Sequence, residues 1–345
     1  MPIATPEVYQ EMLKRAKEGH FAYPAVNVTS SSTITAALQG FADAKSDGIL
    51  QISVGGAEYG SGSTIKDRVA GTLALAAYAK EVAKNYPINV ALHTDHCVEK
   101  NLESWVIPLL KLEAEQVARG EDPTFVSHMF DGSDIPLDHN LEVAKKLLDM
   151  SKAANTVLEI EVGVVGGEED GHVAEINEKL YTTPEDGLET VKQLGLPEED
   201  GKVRYLTALT FGNVHGVYKP GAVKLRPGIL KDIQDEVGAK VSVKDPFYLV
   251  FHGGSGSTPA EISEAVDNGV IKMNIDTDTQ YAYSRPVADH FFKNYDGVLK
   301  VDGEVGNKKA YDPRAWGKAA EAGMANRIAE ACNELRSAGH TSYKG

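Results

Sequence analysis

Cysteine is almost missing from this sequence: Cys97 and Cys332 are the only two in 345 residues. Two such distant thiols make neither a disulfide framework nor a CxxC metal knot. A reducing cytoplasm is therefore the expected setting. Positive charge is also short, with 35 Lys and Arg against 50 Asp and Glu and a formal net charge of −15. Such a surface repels nucleic acid and anionic membrane, so neither is expected as a partner. An anionic substrate would need positive potential built locally, from a metal, backbone N–H groups or a few Lys and Arg. No run of about 18 apolar residues occurs, so nothing is expected to span a membrane. The first twenty residues, MPIATPEVYQEMLKRAKEGH, show helical apolar spacing and several charges in place of a signal peptide's apolar run. Low-complexity tracts and short repeats are absent too. Hydrophobic residues make up 42% and charged residues 25%, which suits a globular chain with little disorder beyond its termini.

What the sequence does contain is a repeated architectural beat. A short apolar, β-rich segment ends in Gly or a polar residue, and a helical pattern follows. The segments lie at 21–28, 48–54, 88–95, 125–132, 156–163, 204–212, 247–254 and 270–277, with amphipathic stretches such as STITAALQGFADAK and LEVAKKLLDMSKAAN between them. Eight β segments alternating with helices predict a closed parallel barrel or a doubly wound sheet. Eight is the barrel number, and the length suits a barrel with additions. The expected fold is thus α/β, a (β/α)8 TIM barrel. It has an N-terminal helix, a long loop at 164–183 after the fifth strand and a C-terminal helical extension. The whole chain, 1–345, is expected to be one domain, with the barrel at about 20–298 and the tail at about 299–345. Thr258-Pro259-Ala260-Glu261 reads as a helix start, with an N-cap Thr, Pro at the first helical position and Glu completing a capping box.

The C-terminal ends of barrel strands form the active face of such a fold. Polar residues collect at these ends: Asn27, Ser53, Asp95-His96, His128 and Asp131, Glu159 and Glu161, Asn213 and His215, His252, then Asn274, Asp276 and Thr277. Polar groups cost stability there unless they are satisfied, and a structural protein has no reason to place them on every strand. His96, His215 and His252 each follow an apolar strand. Three imidazoles with one open position make a catalytic zinc site, although each alone could be a satisfied, half-buried histidine. Strand alternation points His93 away from His96, as packing or support. Asp95 could move a proton or only orient a neighbour. Glu161 and Asp131 could be metal ligands or barrel ion pairs. Glu168-Glu169-Asp170 lies in a Gly-flanked loop that is either solvated or brings in an acid or base on closure. The run HGGSGS at 252–257 offers close backbone approach before a helix N-terminus, either as a phosphate site or as an ordinary turn. Cys97 reads best as a small packed residue.

Seven of these segments together carry a resemblance: LHTDHC (92–97), SHMFDGS (127–133), LEIEVGVVGGEEDG (158–171), GNVHGVYKPG (212–221), FHGGSGS (251–257), KMNIDTDTQ (272–280) and YDPRAW (311–316). In order and spacing they resemble the class II, zinc-dependent fructose-bisphosphate aldolases of the longer bacterial type, over about residues 20 to 320. The resemblance implies a homodimeric, or dimer-of-dimers, lyase of glycolysis and gluconeogenesis. It would cleave fructose 1,6-bisphosphate reversibly to dihydroxyacetone phosphate and glyceraldehyde 3-phosphate, with zinc stabilising the enediolate. It implies zinc on His96, His215 and His252, and an alternative metal position at Glu161 and Asp131. Asp95 would serve proton transfer at the C4 hydroxyl, and Glu169 would be the base for the ketose-derived carbon. Gly216, Gly253, Ser255, Asp276 and Thr277 would form the phosphate pocket beside a sodium or potassium ion. Asn27, Ser53, Lys219 and Asn274 would touch substrate, and Arg314 would reach a neighbouring subunit's site. A tagatose-bisphosphate aldolase shares these motifs and is the alternative. A Schiff-base aldolase using Lys272 or Lys219, a barrel metallohydrolase and a non-catalytic scaffold are weaker rivals.

Overall fold

The structure, a computed structural model, describes residues 2–164, 166–169, 172–174, 180–215, 225–298 and 306–344; for 166–169, 172–174 and 215 it describes the backbone alone. Eight parallel strands close into a barrel: β1 (Tyr23–Asn27), β2 (Gly48–Ile52), β3 (Val90–Val98), β4 (Ser127–Asp131), β5 (Val157–Val162), β6 (Tyr205–Leu209), β7 (Leu249–Phe251) and β8 (Val270–Ile275). They are the eight segments expected from the sequence, and β8 returns to pair with β1 through Ala25 and Asn274. The strands read as near-continuous apolar runs because helices cover their outer faces while the barrel interior is itself packed.

The N-terminal mouth is plugged. Helix α1 (Pro6–Gly19) starts at an N-cap Thr5 whose hydroxyl accepts from Val8 N, and it stops where His20 turns left-handed. Its buried face is Tyr9, Met12, Leu13 and Ala16. These pack with inward residues of the strands, among them Tyr23, Ile49, Val126, Leu206 and Ile271. Each buried large side chain contributes roughly 1.5–3 kcal/mol, so this end is sealed and chemistry is confined to the other.

Around the barrel run α2 (Ser31–Asp43), α3 (Val54–Gly60), α4 (Arg68–Val82), α5 (Val106–Ala118), α6 (Leu137–Ala153), α7 (Pro184–Leu194), α8 (Gly228–Val241), α9 (Pro259–Asp267) and α10 (Thr277–Lys293). The capping box before α9 forms as its sequence indicates: Glu261 N donates to Thr258 Oγ1 and Thr258 N to Glu261 Oε2. After the short α11 (Tyr295–Val298) and α12 (Lys308–Tyr311), the C-terminal extension is dominated by α13 (Pro313–Glu334). This helix packs against α2, α10 and β1, and so completes the helical layer beside the strand that closes the barrel. A Cβ at Gly40 would sit 2.6 Å from the Ala325 carbonyl oxygen, so glycine lets α2 and α13 approach. The last residues are tied down by buried Asp47, which accepts from Thr341 Oγ1 (2.6 Å), Ser342 N (2.8 Å) and Ser342 Oγ (2.8 Å).

The segment expected as a loop after β5 has more structure than that. Gly166–Glu169 pairs antiparallel with His172–Ala174, and its first residues pair in parallel with Val214–His215.

Candidate metal centre and active site

The site begins with an irregularity in β3. Thr94 faces His128 on β4, but the next matched pair is Cys97 with Phe130. Asp95 and His96 therefore stand opposite a single residue, the signature of a β-bulge, and His96 has φ +48°. In a regular strand, adjacent side chains point to opposite faces. The bulge breaks that alternation and turns both Asp95 and His96 toward the interior. It also removes the separation expected between His93 and His96. His93 lies inside the barrel as well, bonded through Nδ1 to Ser127 Oγ (2.7 Å). A non-glycine residue in the left-handed region is strained, and such strain concentrates at functional sites.

Around His96 the described residues form one buried cluster. Its Nδ1 meets Asp131 Oδ2 at 3.2 Å, and its ring lies 4.7 Å from that of His252. His252 has a carboxylate at each nitrogen, Glu161 Oε2 on Nδ1 (2.9 Å) and Glu159 Oε1 on Nε2 (2.8 Å). Glu159 and Glu161 are two apart on β5 and so share its inner face. Burial pushes the His252 imidazole down, but its bonds to Glu159 and Glu161 outweigh this and hold it above the ordinary histidine value. Burial would likewise raise Glu159, yet Lys272, His93 and His252 hold it well below the usual carboxylate range. Asp131 is also depressed: burial opposes this and is outweighed by His96 and by Ser133, which donates from its N and Oγ.

This donor set fits a divalent metal. One ligand atom from each of His96, Glu161 and His252 lies within 4.8 Å of the others, and all three residues are buried. The cluster also brings the carboxylates of Asp95, Asp131, Glu159 and Glu161 together, while among the described residues Lys272 is the only fully buried Lys or Arg. Imidazole nitrogen with carboxylate oxygen suits zinc and its neighbours in the first transition row.

Beside the cluster, Asp95 is held by amides from three strands. Asn27 Nδ2 (2.9 Å) and Gln51 Nε2 (3.0 Å) donate to its Oδ2, and Asn274 Nδ2 (3.1 Å) donates to its Oδ1. Asn27 and Gln51 are register partners on β1 and β2, so the barrel itself presents them together.

The glycine run after β7 lies against the ends of neighbouring segments. Gly253 has φ +62°, and a Cβ there would meet the Val214 carbonyl oxygen at 2.6 Å. Ser255 is buried and accepts from Asp278 N at 3.3 Å, which joins this run to the first turn of α10. Thr277 opens α10, and Asp276 precedes it with Oδ2 on Gln280 Nε2. Backbone N–H groups at a helix start attract anions. Ser53 lies at the end of β2 but caps α3, accepting from Gly56 N.

Arg314 is not brought to this cluster. It is 83% exposed and pairs with Asp312 at 2.7 Å. The side chains of Glu169 and His215, and residues Gly216 and Lys219, lie outside the described residues. His128 is turned outward under α5, between Thr94 Oγ1 (2.8 Å) and Glu113 Oε2 (2.7 Å), and is no part of the cluster. In the sequence reading Gln51 goes unremarked, Glu159 is named at the rim without a role, and Lys272 is weighed only as an imine-forming lysine. Period-2 spacing is the signal that finds two of them, because Glu159 shares a face with Glu161 and Lys272 with Asn274.

Similarity to known proteins agrees with this geometry. The family described as fructose-bisphosphate aldolase class-II matches residues 7–340. The fructose-bisphosphate aldolase of Mycobacterium leprae is 61% identical over 342 residues, with 98% of each chain covered. That of Corynebacterium glutamicum is 60% identical over 347 residues, with 100% of each covered. The solved fructose-bisphosphate aldolase of Campylobacter jejuni superimposes with a TM-score of 0.85 at 38% identity, over 98% of this chain and 96% of that one. At such identity, from the first helix through the last, the chain belongs to the class-II fructose-bisphosphate aldolase family.

Proposed function

We propose that this protein catalyses the reversible aldol cleavage of fructose 1,6-bisphosphate to dihydroxyacetone phosphate and glyceraldehyde 3-phosphate. The observation that carries the reading is the adjacency of two groups: a buried His96–Glu161–His252 set and, at its edge, an Asp95 carboxylate held by three amides. His96 and His252, with His215, hold zinc, and Glu161 and Asp131 serve a second position of the ion. When bound, the ion supplies positive charge that polarises a ketose carbonyl. Asp95 takes the proton from the C4 hydroxyl as the C3–C4 bond breaks, and returns it in the synthetic direction. Glu169 moves the proton at the ketose-derived carbon. Asn27, Asn274, Ser53 and Lys219 orient the sugar. One phosphate is bound by Gly216, Gly253, Ser255, Asp276 and Thr277, with a sodium or potassium ion nearby. The sealed N-terminal mouth leaves the opposite face as the route for substrate.

Lys272 is poorly suited to the imine route. Its Nζ is buried and engaged by Glu159 and Asn274, whereas an imine requires a neutral amine at a carbonyl. The whole chain is read as one domain, acting in the cytoplasm in glycolysis and gluconeogenesis. Tyr281, Phe292 and Tyr295 are 61%, 81% and 62% exposed along α10 and α11, an aromatic face that a second copy would cover. Arg314 then reaches the neighbouring subunit's site in a homodimer or a pair of dimers. The test is cleavage of fructose 1,6-bisphosphate and tagatose 1,6-bisphosphate before and after EDTA. Fructose-bisphosphate cleavage that EDTA abolishes and zinc restores supports the reading. A preference for the tagatose isomer reassigns the substrate. Activity that survives EDTA but is lost to borohydride with substrate points to a lysine imine.

A further inference from the structure

Lys272 is fully buried in the barrel, on β8, two residues before Asn274. Its ammonium lies 2.9 Å from Glu159 Oε2 and 3.0 Å from Glu159 Oε1, and it donates to Asn274 Oδ1 at 2.6 Å. An ammonium only donates. The Asn274 atom that faces it must therefore be the carbonyl oxygen, and the amide nitrogen must face the other way, toward Asp95 Oδ1 at 3.1 Å. The reversed amide would set NH2 against NH3 and oxygen against carboxylate, two repulsive contacts. On its other side, Lys272 shares Glu159 with His252 Nε2. One buried cation thus stands between the histidine–carboxylate cluster and the Asp95 carboxylate.

We propose that Lys272 is a positioning residue for proton transfer: it locks the Asn274 amide in the sense that aims and holds the Asp95 carboxylate. The inference rests on the function proposed above. K272M alone strands the Glu159 carboxylate in the barrel, and an unpaired buried charge is strongly destabilising. The informative protein is therefore the K272M/E159Q double variant, which carries neither charge. Wild type, E159Q and the double variant are loaded with zinc, their bound zinc is measured, and kcat per bound zinc and KM are determined for fructose 1,6-bisphosphate. A crystal structure of the double variant gives the Asn274–Asp95 distance.

The expected result is a folded double variant whose kcat per zinc falls roughly 10²-fold, the size of loss that a misplaced reacting group causes. Its KM is expected to stay within about threefold, because Asn274 is one of several groups that hold the sugar. A double variant with wild-type kcat per zinc overturns the proposal, since the charge pair would then serve stability alone. A fall in zinc content with unchanged kcat per zinc overturns it equally. Wild type that cleaves no ketose bisphosphate defeats the proposed function instead. In that event the crystal structure decides: an unchanged 3.1 Å contact overturns the positioning role, and an Asn274 amide turned away from Asp95 supports it.

Discussion

Replacing Asp95 by Asn tests the chemistry with almost no change in shape. The carboxylate accepts on Oδ2 from Asn27 and Gln51 and on Oδ1 from Asn274. An amide at 95 can keep its oxygen toward Asn27 and Gln51, and its NH2 then faces the NH2 of Asn274. Asn274 cannot answer by turning over, because Lys272 holds its oxygen. One hydrogen bond to a charged acceptor is therefore lost, worth about 1.5–3 kcal/mol. For a chain of this size that lowers the melting temperature by only a few degrees, at roughly 2–4 °C per kcal/mol or less. Loss of a general base costs about 10²–10⁴ in rate, so D95N is expected to fold, to bind zinc and to lose roughly 10³-fold in kcat with KM little changed. The assay couples glyceraldehyde 3-phosphate release to a dehydrogenase and is read beside a thermal melt. A D95N enzyme within tenfold of wild-type kcat would falsify the role given to Asp95. A collapse of the melt by tens of degrees would instead show that the amide cage is structural.

Removal of the metal by EDTA is expected to abolish cleavage and to lower the melting temperature. An ion present at 1,000 times its dissociation constant stabilises by about 4 kcal/mol, which calorimetry with and without zinc measures. Asp47→Ala removes the acceptor that holds Thr341 and Ser342. Several bonds to one charge are lost, so a destabilisation of about 2–4 kcal/mol is expected, with earlier proteolysis of the C-terminus in a timed digest. Lys17 lies 3.9 Å over the Tyr248 ring, and burial pulls it down from about 10.5 to about 8, against Glu198 and Asp245. Between those two values the unfolded chain binds the extra proton, so wild-type stability gains a rising component from about pH 8 to about pH 10.5. K17M is expected to lose that component, and melting curves across the range for both proteins check it. Burial pushes the Cys97 thiol up to about 12, so iodoacetamide at neutral pH is expected to leave it unlabelled in the native protein, by intact-mass analysis.

The barrel was legible because each of its strands is buried on both faces and so stands out as a short apolar run closed by a polar residue or glycine. The rim residues were legible for the same reason, since a polar side chain ending an apolar strand has to serve some purpose. Alternation failed at Asp95 and His96. Whether a strand bulges depends on its partner, and nothing within 90–98 shows that Met129 will stand opposite two residues. Lys272 was harder still. A lysine in an apolar strand suggests either a surface position or an imine, and its meaning appears only when β5 and β8 bring Glu159 and Asn274 to its ammonium from opposite sides. Ser53 and Gln51 differ in where their partners lie. Ser53, read as a substrate contact, is engaged in capping α3. Gln51, unremarked inside GILQISV, donates to Asp95. Residues whose partners lie along the chain can be read from spacing. Residues whose partners lie across the barrel cannot be read until the register is known, and in this site the groups around the proposed proton-transfer step are of the second kind.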